Sequence, residues 1–235
     1  MVPMKLGGLL ALTAALVLTG CAQAQPPVSE KVSEYYEQNQ KLTAREDEDV
    51  IAFLGDSYVN GSKTTPVLDT YAARAAIKLG VLSKPYGAGG IGYGVGNGRG
   101  GEPIPTYADD VVADAPDYVV VQGGLNELRK DPAAAKAGAA ETFRVLKVGL
   151  PGTPIVVVGP FDTSTEHAPS TWAVRDAVAS AAAEAGLPFV DPLVEGWFTG
   201  PQLLDADGVH LTPEGREAYA GRLAASLTSL QVPRP

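Results

Sequence analysis

From Val50 onward, short apolar runs alternate with segments whose apolar residues recur every three or four positions, and that alternation admits few folds. The runs expected as strands are Val50–Leu54, Val81–Tyr86, Tyr118–Gln122, Ile155–Gly159 and Phe189–Asp191. Three of them are continuously apolar, as strands buried on both faces must be. Between them, Leu68, Tyr71, Ala72, Ala75 and Leu79 share one helical face. So do Phe143, Leu146 and Leu150, and later Tyr219, Leu223, Leu227 and Leu230. Thr212 ahead of Pro213 supplies an N-cap and a first-turn proline for the last helix. Strands alternating with helices predict an α/β domain with a parallel sheet covered on both faces. In such a sheet, function gathers at the carboxyl ends of the strands.

The first run leads straight into Gly55-Asp56-Ser57, which sets a serine at a strand end just before a helix. Serine attacks a carbonyl only when a base takes its proton, so a histidine has to be found. The chain has His167 and His210. His167 follows Asp162-Thr163-Ser164-Thr165-Glu166 in a polar loop and reads as a solvated loop residue. His210 closes Asp207-Gly208-Val209-His210, immediately ahead of the last helix. An aspartate three residues earlier on a glycine turn can fold its carboxylate onto the imidazole. That contact fixes the tautomer and stabilises the imidazolium. Each element also has a plainer reading, since Asp, Ser and Asp-Gly favour turns and caps.

The third strand ends in Gln122-Gly123-Gly124-Leu125-Asn126-Glu127, an open backbone followed by an amide donor. Acyl transfer needs such donors aimed at a developing oxyanion, although Asn126 also suits a helix N-cap. The second strand ends in Gly87-Ala88-Gly89-Gly90-Ile91-Gly92, whose N–H groups suit the same task. That stretch fits G-x-G-x-x-G, yet glycine recurs at Gly94, Gly96, Gly98, Gly100 and Gly101 before Pro103. No helix starts well there, which argues against a dinucleotide site. The Walker motif and G-x-S-x-G are both absent.

Taken in chain order, Ser, Gly, Asn and His resemble the four blocks of the SGNH hydrolases, also called GDSL-like lipases and esterases. The resemblance runs from residue 50 to about 225, and Gly55-Asp56-Ser57 with Asp207-Gly208-Val209-His210 are its specific parts. It implies a three-layer α/β/α domain with a five-stranded parallel sheet in flavodoxin-like order. It implies Ser57 as nucleophile, His210 as base and Asp207 as the acid that orients it. The oxyanion hole would comprise the Ser57 N–H, a glycine N–H and the Asn126 side chain. Gly87, Gly89 and Gly90 compete for the glycine place, and Gly90 is chosen by its distance from the strand. The third block departs from the usual Gly-x-Asn-Asp by ending in Glu127. An ester-cleaving enzyme that needs neither metal nor cofactor is expected, acting on a small-molecule, glycan or lipid ester. The alternatives are an acyltransferase using the same acyl-enzyme and a non-catalytic glycan- or lipid-binding lipoprotein. Tyr58, Tyr93, Trp197 and Phe198 are candidates for lining the pocket, or else core residues.

The N-terminal region reads differently. Gly7 to Thr19 form an apolar run, short for a bilayer span, behind a single early lysine. It ends in Leu18-Thr19-Gly20-Cys21, which resembles a bacterial lipobox and implies cleavage before Cys21 and lipid on its sulfur. Cys21 is the one cysteine in the chain, so no internal disulfide competes for it. The expected organisation is a signal peptide over 1–20, a lipidated N-terminus and polar tether over 21–48, and a hydrolase domain over 49–235. The expected place is the outer face of a bacterial membrane, reached through the lipid on Cys21, and the expected state is a monomer. A net charge of −9 without a basic run argues against nucleic acid as a partner.

Overall fold

The computed structural model describes residues 48–128, 130–164 and 166–232. The signal peptide, Cys21 and the tether up to residue 47 lie outside the described residues. One sheet of five parallel strands runs in the order β2-β1-β3-β4-β5, the flavodoxin-like order. The strands are β1 (Val50–Gly55), β2 (Leu82–Gly87), β3 (Tyr118–Gln122), β4 (Ile155–Val158) and β5 (Phe189–Val190). Each expected strand is present, with no end displaced by more than one residue.

Alternation along the strands builds two cores. Ile51, Phe53, Val120, Val156 and Val158 face one side of the sheet, while Ala52, Leu54, Val119, Val121, Ile155 and Val157 face the other. The first side is covered by α2 (Tyr71–Leu79) and the C-terminal α6 (Pro213–Ser229), which follow the four-residue α1 (Ser57–Asn60). The second is covered by α3 (Ala108–Asp114), α4 (Pro132–Gly149) and α5 (Pro169–Glu184). Each large aliphatic side chain buried this way contributes roughly 1.5–3 kcal/mol. Thr70 caps α2 by accepting the Ala73 N–H at 3.2 Å, and Gly80 ends it in the left-handed region. Thr212 caps α6 by accepting the Gly215 N–H at 3.1 Å, with Pro213 in the first turn. Pro85 is tolerated because β2 is an edge strand.

Strand register aligns the carboxyl ends of β1, β2 and β3. Gly55 of β1 stands level with Gly87 of β2 and Gln122 of β3. The three loops that carry Ser57, the glycine-rich segment and Asn126 therefore leave the sheet from one line.

Candidate active site

Asp56 follows β1 and caps α1, its Oδ1 accepting the Tyr58 N–H at 2.9 Å. This sets Ser57 as the first residue of α1, with 9% of its surface exposed. Across from it, residues 204–211 form a tight loop closed by an antiparallel bridge between Leu204 and Leu211. Its turn requires φ +69° at Gly208, a conformation that glycine adopts without strain. The Asp205 N–H donates to the His210 carbonyl at 2.7 Å, and the Gly208 N–H to the Asp205 carbonyl at 2.9 Å. Groups from outside clamp the loop. The Tyr58 hydroxyl donates to the Val209 carbonyl at 2.6 Å. Buried Arg216 donates to the Leu211 carbonyl at 2.7 Å while pairing with Asp69 at 2.6 Å.

Within this frame the structure brings Ser57, His210 and Asp207 together. His210 Nε2 lies 2.9 Å from Ser57 Oγ, and His210 Nδ1 lies 2.6 Å from Asp207 Oδ2. Asp207 Oδ1 accepts the N–H groups of Val209 and His210, each at 2.9 Å. Partial desolvation pushes the Asp207 pKa up, but the His210 side chain, those two N–H groups and the His210 charge outweigh it, taking it to about 2. A hydroxyl against an imidazole whose far nitrogen is held by a carboxylate is the arrangement that lets serine attack a carbonyl.

Asn126 sits in the short 3-10 turn Leu125–Glu127 and caps no helix. Its side-chain amide donates to the Ile91 carbonyl at 2.7 Å and makes a longer contact, 3.4 Å, to Asp56 Oδ2. The next residue, Glu127, turns inward and is fully buried, its Oε1 accepting the Gly94 N–H at 3.0 Å. A Cβ on Gly92 would fall 2.0 Å from the Glu127 carboxylate, which is why that position is glycine. Burial raises the Glu127 pKa against the N–H groups around it. Burial likewise carries Asp56 to about 7, with the Tyr58 N–H opposing and the neighbouring Glu127 reinforcing the rise.

Ser57, Asn126, His210, Asp207, Gly89 and Gly90 all line one cleft of about 1030 Å³. Gly87 does not line it: a Cβ there would meet the Gly55 carbonyl at 2.1 Å, so this glycine serves the β1–β2 approach. Asn97 staples the glycine-rich loop, donating to the Gly89 carbonyl at 2.9 Å and accepting the N–H groups of Arg99 and Gly101 at 2.8 and 2.9 Å. His167 stands apart and is not simply solvated. Its Nδ1 lies 3.1 Å from Asp162 and its ring meets Trp172 edge-on, so the side chain is largely covered. Tyr58, Tyr93 and Trp197 are buried core residues; neither they nor Phe198 line the cleft. No local pattern in the sequence marks Asp56 and Glu127 as inward carboxyls or Asn97 as a staple. The signal for Glu127 lay in Gly92, a glycine beyond the needs of any turn.

A family model described as GDSL-like Lipase/Acylhydrolase family matches residues 53–218. The chain belongs to this family. It is accordingly a carboxylic-ester hydrolase of the esterase and lipase type. A relative named GDSL lipase Rv0518, from Mycobacterium tuberculosis, is 29% identical over 188 residues, covering 74% of this chain and 79% of its own. Among solved structures, the fold is shared with Est24, a carbohydrate acetylesterase from Sinorhizobium meliloti. The TM-score is 0.60 at 15% identity, over 78% of this chain and all of that one. It is also shared with the aryl esterase of M. smegmatis, at TM-score 0.58 and 18% identity over 77% of this chain and 99% of that one. In this GDSL-like chain the Glu127 side chain ties the third block to the glycine-rich loop through the Gly94 N–H.

Proposed function

We propose that this hydrolase works through an acyl-enzyme on Ser57. His210 takes the Ser57 proton as Oγ attacks the ester carbonyl, and the charge of Asp207 balances the imidazolium. The carbonyl oxygen, now negative, is held by the N–H groups of Ser57 and Gly90 and by the Asn126 amide. His210 returns the proton to the departing alkoxide, leaving an acyl ester on Ser57 and a free alcohol. Water then repeats the sequence, releasing the carboxylic acid and the serine. The observation that carries this reading is the unbroken relay from Asp207 through His210 to Ser57, at 2.6 and 2.9 Å, opening on the cleft. The same relay speaks against a purely binding role on this fold. We place the enzyme outside the cytoplasm, held at the membrane by lipid on Cys21, on the strength of the Leu18–Cys21 motif. Retention of detergent partitioning after Cys21→Ser would remove that placement.

The test is a fluorophosphonate probe, which should label Ser57 and fail on Ser57→Ala, whose ester turnover should fall to background. Labelling at another serine would overturn the assignment. Product analysis with an added acceptor alcohol separates hydrolysis from transfer: free acid as the main product identifies the hydrolase.

A further inference from the structure

The chain carries a net charge of −9, yet its cleft is lined by cations. Lys63, Arg99 and Lys130 reach it from the loops after β1, β2 and β3, the three loops that the sheet register sets side by side. Among the described residues the only acid in the lining is Asp207, and its carboxylate is committed to His210. The distribution of ion pairs sharpens the contrast. Among the described residues, every other lysine and arginine side chain is engaged, either by a carboxylate or, at Lys147 and Arg222, by a backbone carbonyl. Lys63, Arg99 and Lys130 alone have neither, and all three line the catalytic cleft. The loop that carries Arg99 is nonetheless fixed, because Asn97 holds the Arg99 N–H and the Gly89 carbonyl together.

On an acidic protein, surface cations find carboxylates readily, so three that stand without one around the reacting serine are kept for another anion. The remaining surface repels anions, and a cationic concavity focuses them inward. We propose that the cleft selects esters bearing an anionic group, a carboxylate or a phosphate, on the acyl or the alcohol part. This rests on the hydrolase reading and narrows its substrate class. The guanidinium of Arg99 suits either group through paired N–H donors, whereas the two ammonium groups act as point charges. Because all three are exposed, salt screens their effect, which supplies a signature that shape selection lacks.

The experiment compares kcat/KM within matched pairs on one enzyme preparation, so that any loss of folded protein cancels in the ratio. For the acyl part, 4-nitrophenyl hemiadipate is set against 4-nitrophenyl hexanoate. For the alcohol part, 3-acetoxybenzoate is set against 3-acetoxybenzamide. At low salt, the anionic member of at least one pair should be preferred by about tenfold, declining to about twofold at high salt. The arm that shows it tells which end of the ester carries the charge. In Lys63→Gln/Arg99→Gln/Lys130→Gln the preference should fall towards one and lose its salt dependence. A ratio at or below one in both arms, or a preference that survives the triple substitution, overturns the inference and leaves the hydrolase intact. That same ratio of one is expected if the cations serve an anionic lipid surface instead. No turnover of any of the four esters, with no probe on Ser57, overturns the hydrolase reading itself and the inference with it.

Discussion

Two aspartates flank the Ser57–His210 pair, and their surroundings drive them in opposite directions. The Asp207 side chain, 40% exposed, is taken to about 2, while Asp56, fully buried, rises to about 7. Both stand next to a glycine in sequence at the active edge, so residue type and sequence neighbours do not separate them. Water and donors do. Asp207 keeps contact with solvent and gathers three donors from a single short loop. Asp56 loses its water, gains one firm N–H from Tyr58, and has the Glu127 carboxyl beside it. The functional consequence is a division of charge. An ionised carboxylate is held against His210, and a carboxyl that stays largely neutral in acid lies against Asn126, the proposed oxyanion donor.

The largest expected effect tests the buried member. Asp56 binds its proton more tightly folded than unfolded, so its contribution to stability is present below about pH 4 and is lost as pH rises towards 7. The loss amounts to up to about 4 kcal/mol. Asp56→Asn keeps an oxygen for the Tyr58 N–H but has no proton to release. The difference in unfolding free energy between variant and wild type should therefore shift by that order in favour of the variant between pH 4 and pH 7. Chemical denaturation at several pH values measures it. A constant difference across the range would move the responsible titration to Glu127, for which Glu127→Gln is the matching variant.

Asn126 lies between the two regions, and its replacement tests whether the neutral floor serves the chemistry. Its amide braces Ile91 and Asp56, so Asn126→Ala should cost about 1 kcal/mol of stability through the lost hydrogen bond. If the amide also holds the oxyanion, kcat should fall by about 10²–10³ with KM little changed, near 3–4 kcal/mol of barrier. A variant that melts earlier but turns over at the wild-type rate would make Asn126 a brace alone.

The same contrast marks what was legible in the sequence. The Asp207 region was readable because its interactions are local: an i,i+3 contact across a glycine turn, with Thr212-Pro213 announcing the next helix. The strands were readable because a buried parallel strand is a bare apolar run, as Tyr118–Gln122 and Ile155–Val158 are. The Asp56 region was not, because its state depends on Glu127, 71 positions further along, and on burial by core residues that no local pattern names. Helices α3 and α5 were not singled out either. The inner face of α5 is Thr171, Val174, Val178, Ala181 and Ala182, too small-sided to display a strong apolar stripe. The aromatics misled for a related reason. Tyr58 and Tyr93 stand next to motif residues in sequence, but their rings turn down into the two cores while the cleft above them is walled by glycines and polar groups.

The smallest effect is expected at Asp207, the exposed member. Asp207→Asn leaves an oxygen to accept the N–H groups of Val209 and His210, so the loop should keep its shape. The side-chain nitrogen then faces His210 Nδ1 and offers it a proton, favouring the tautomer whose proton sits on Nε2. In that form Nε2 can no longer accept the Ser57 proton. In a well-enclosed triad such a change costs about 10⁴ in kcat. Here water reaches the carboxylate, so solvent can take over part of its work on the imidazolium, and the expected loss is about tenfold to a hundredfold. The acid limb of stability should change as well. With its folded pKa lowered, Asp207 contributes stability above about pH 4 and loses it as pH falls towards 2, and the variant should lack that dependence. Kinetics with nitrogen NMR of His210 separate tautomer from shape. Wild-type turnover with the proton still on Nδ1 would show that another group orients the imidazole, and the contrast between the two aspartates would then lose its catalytic half.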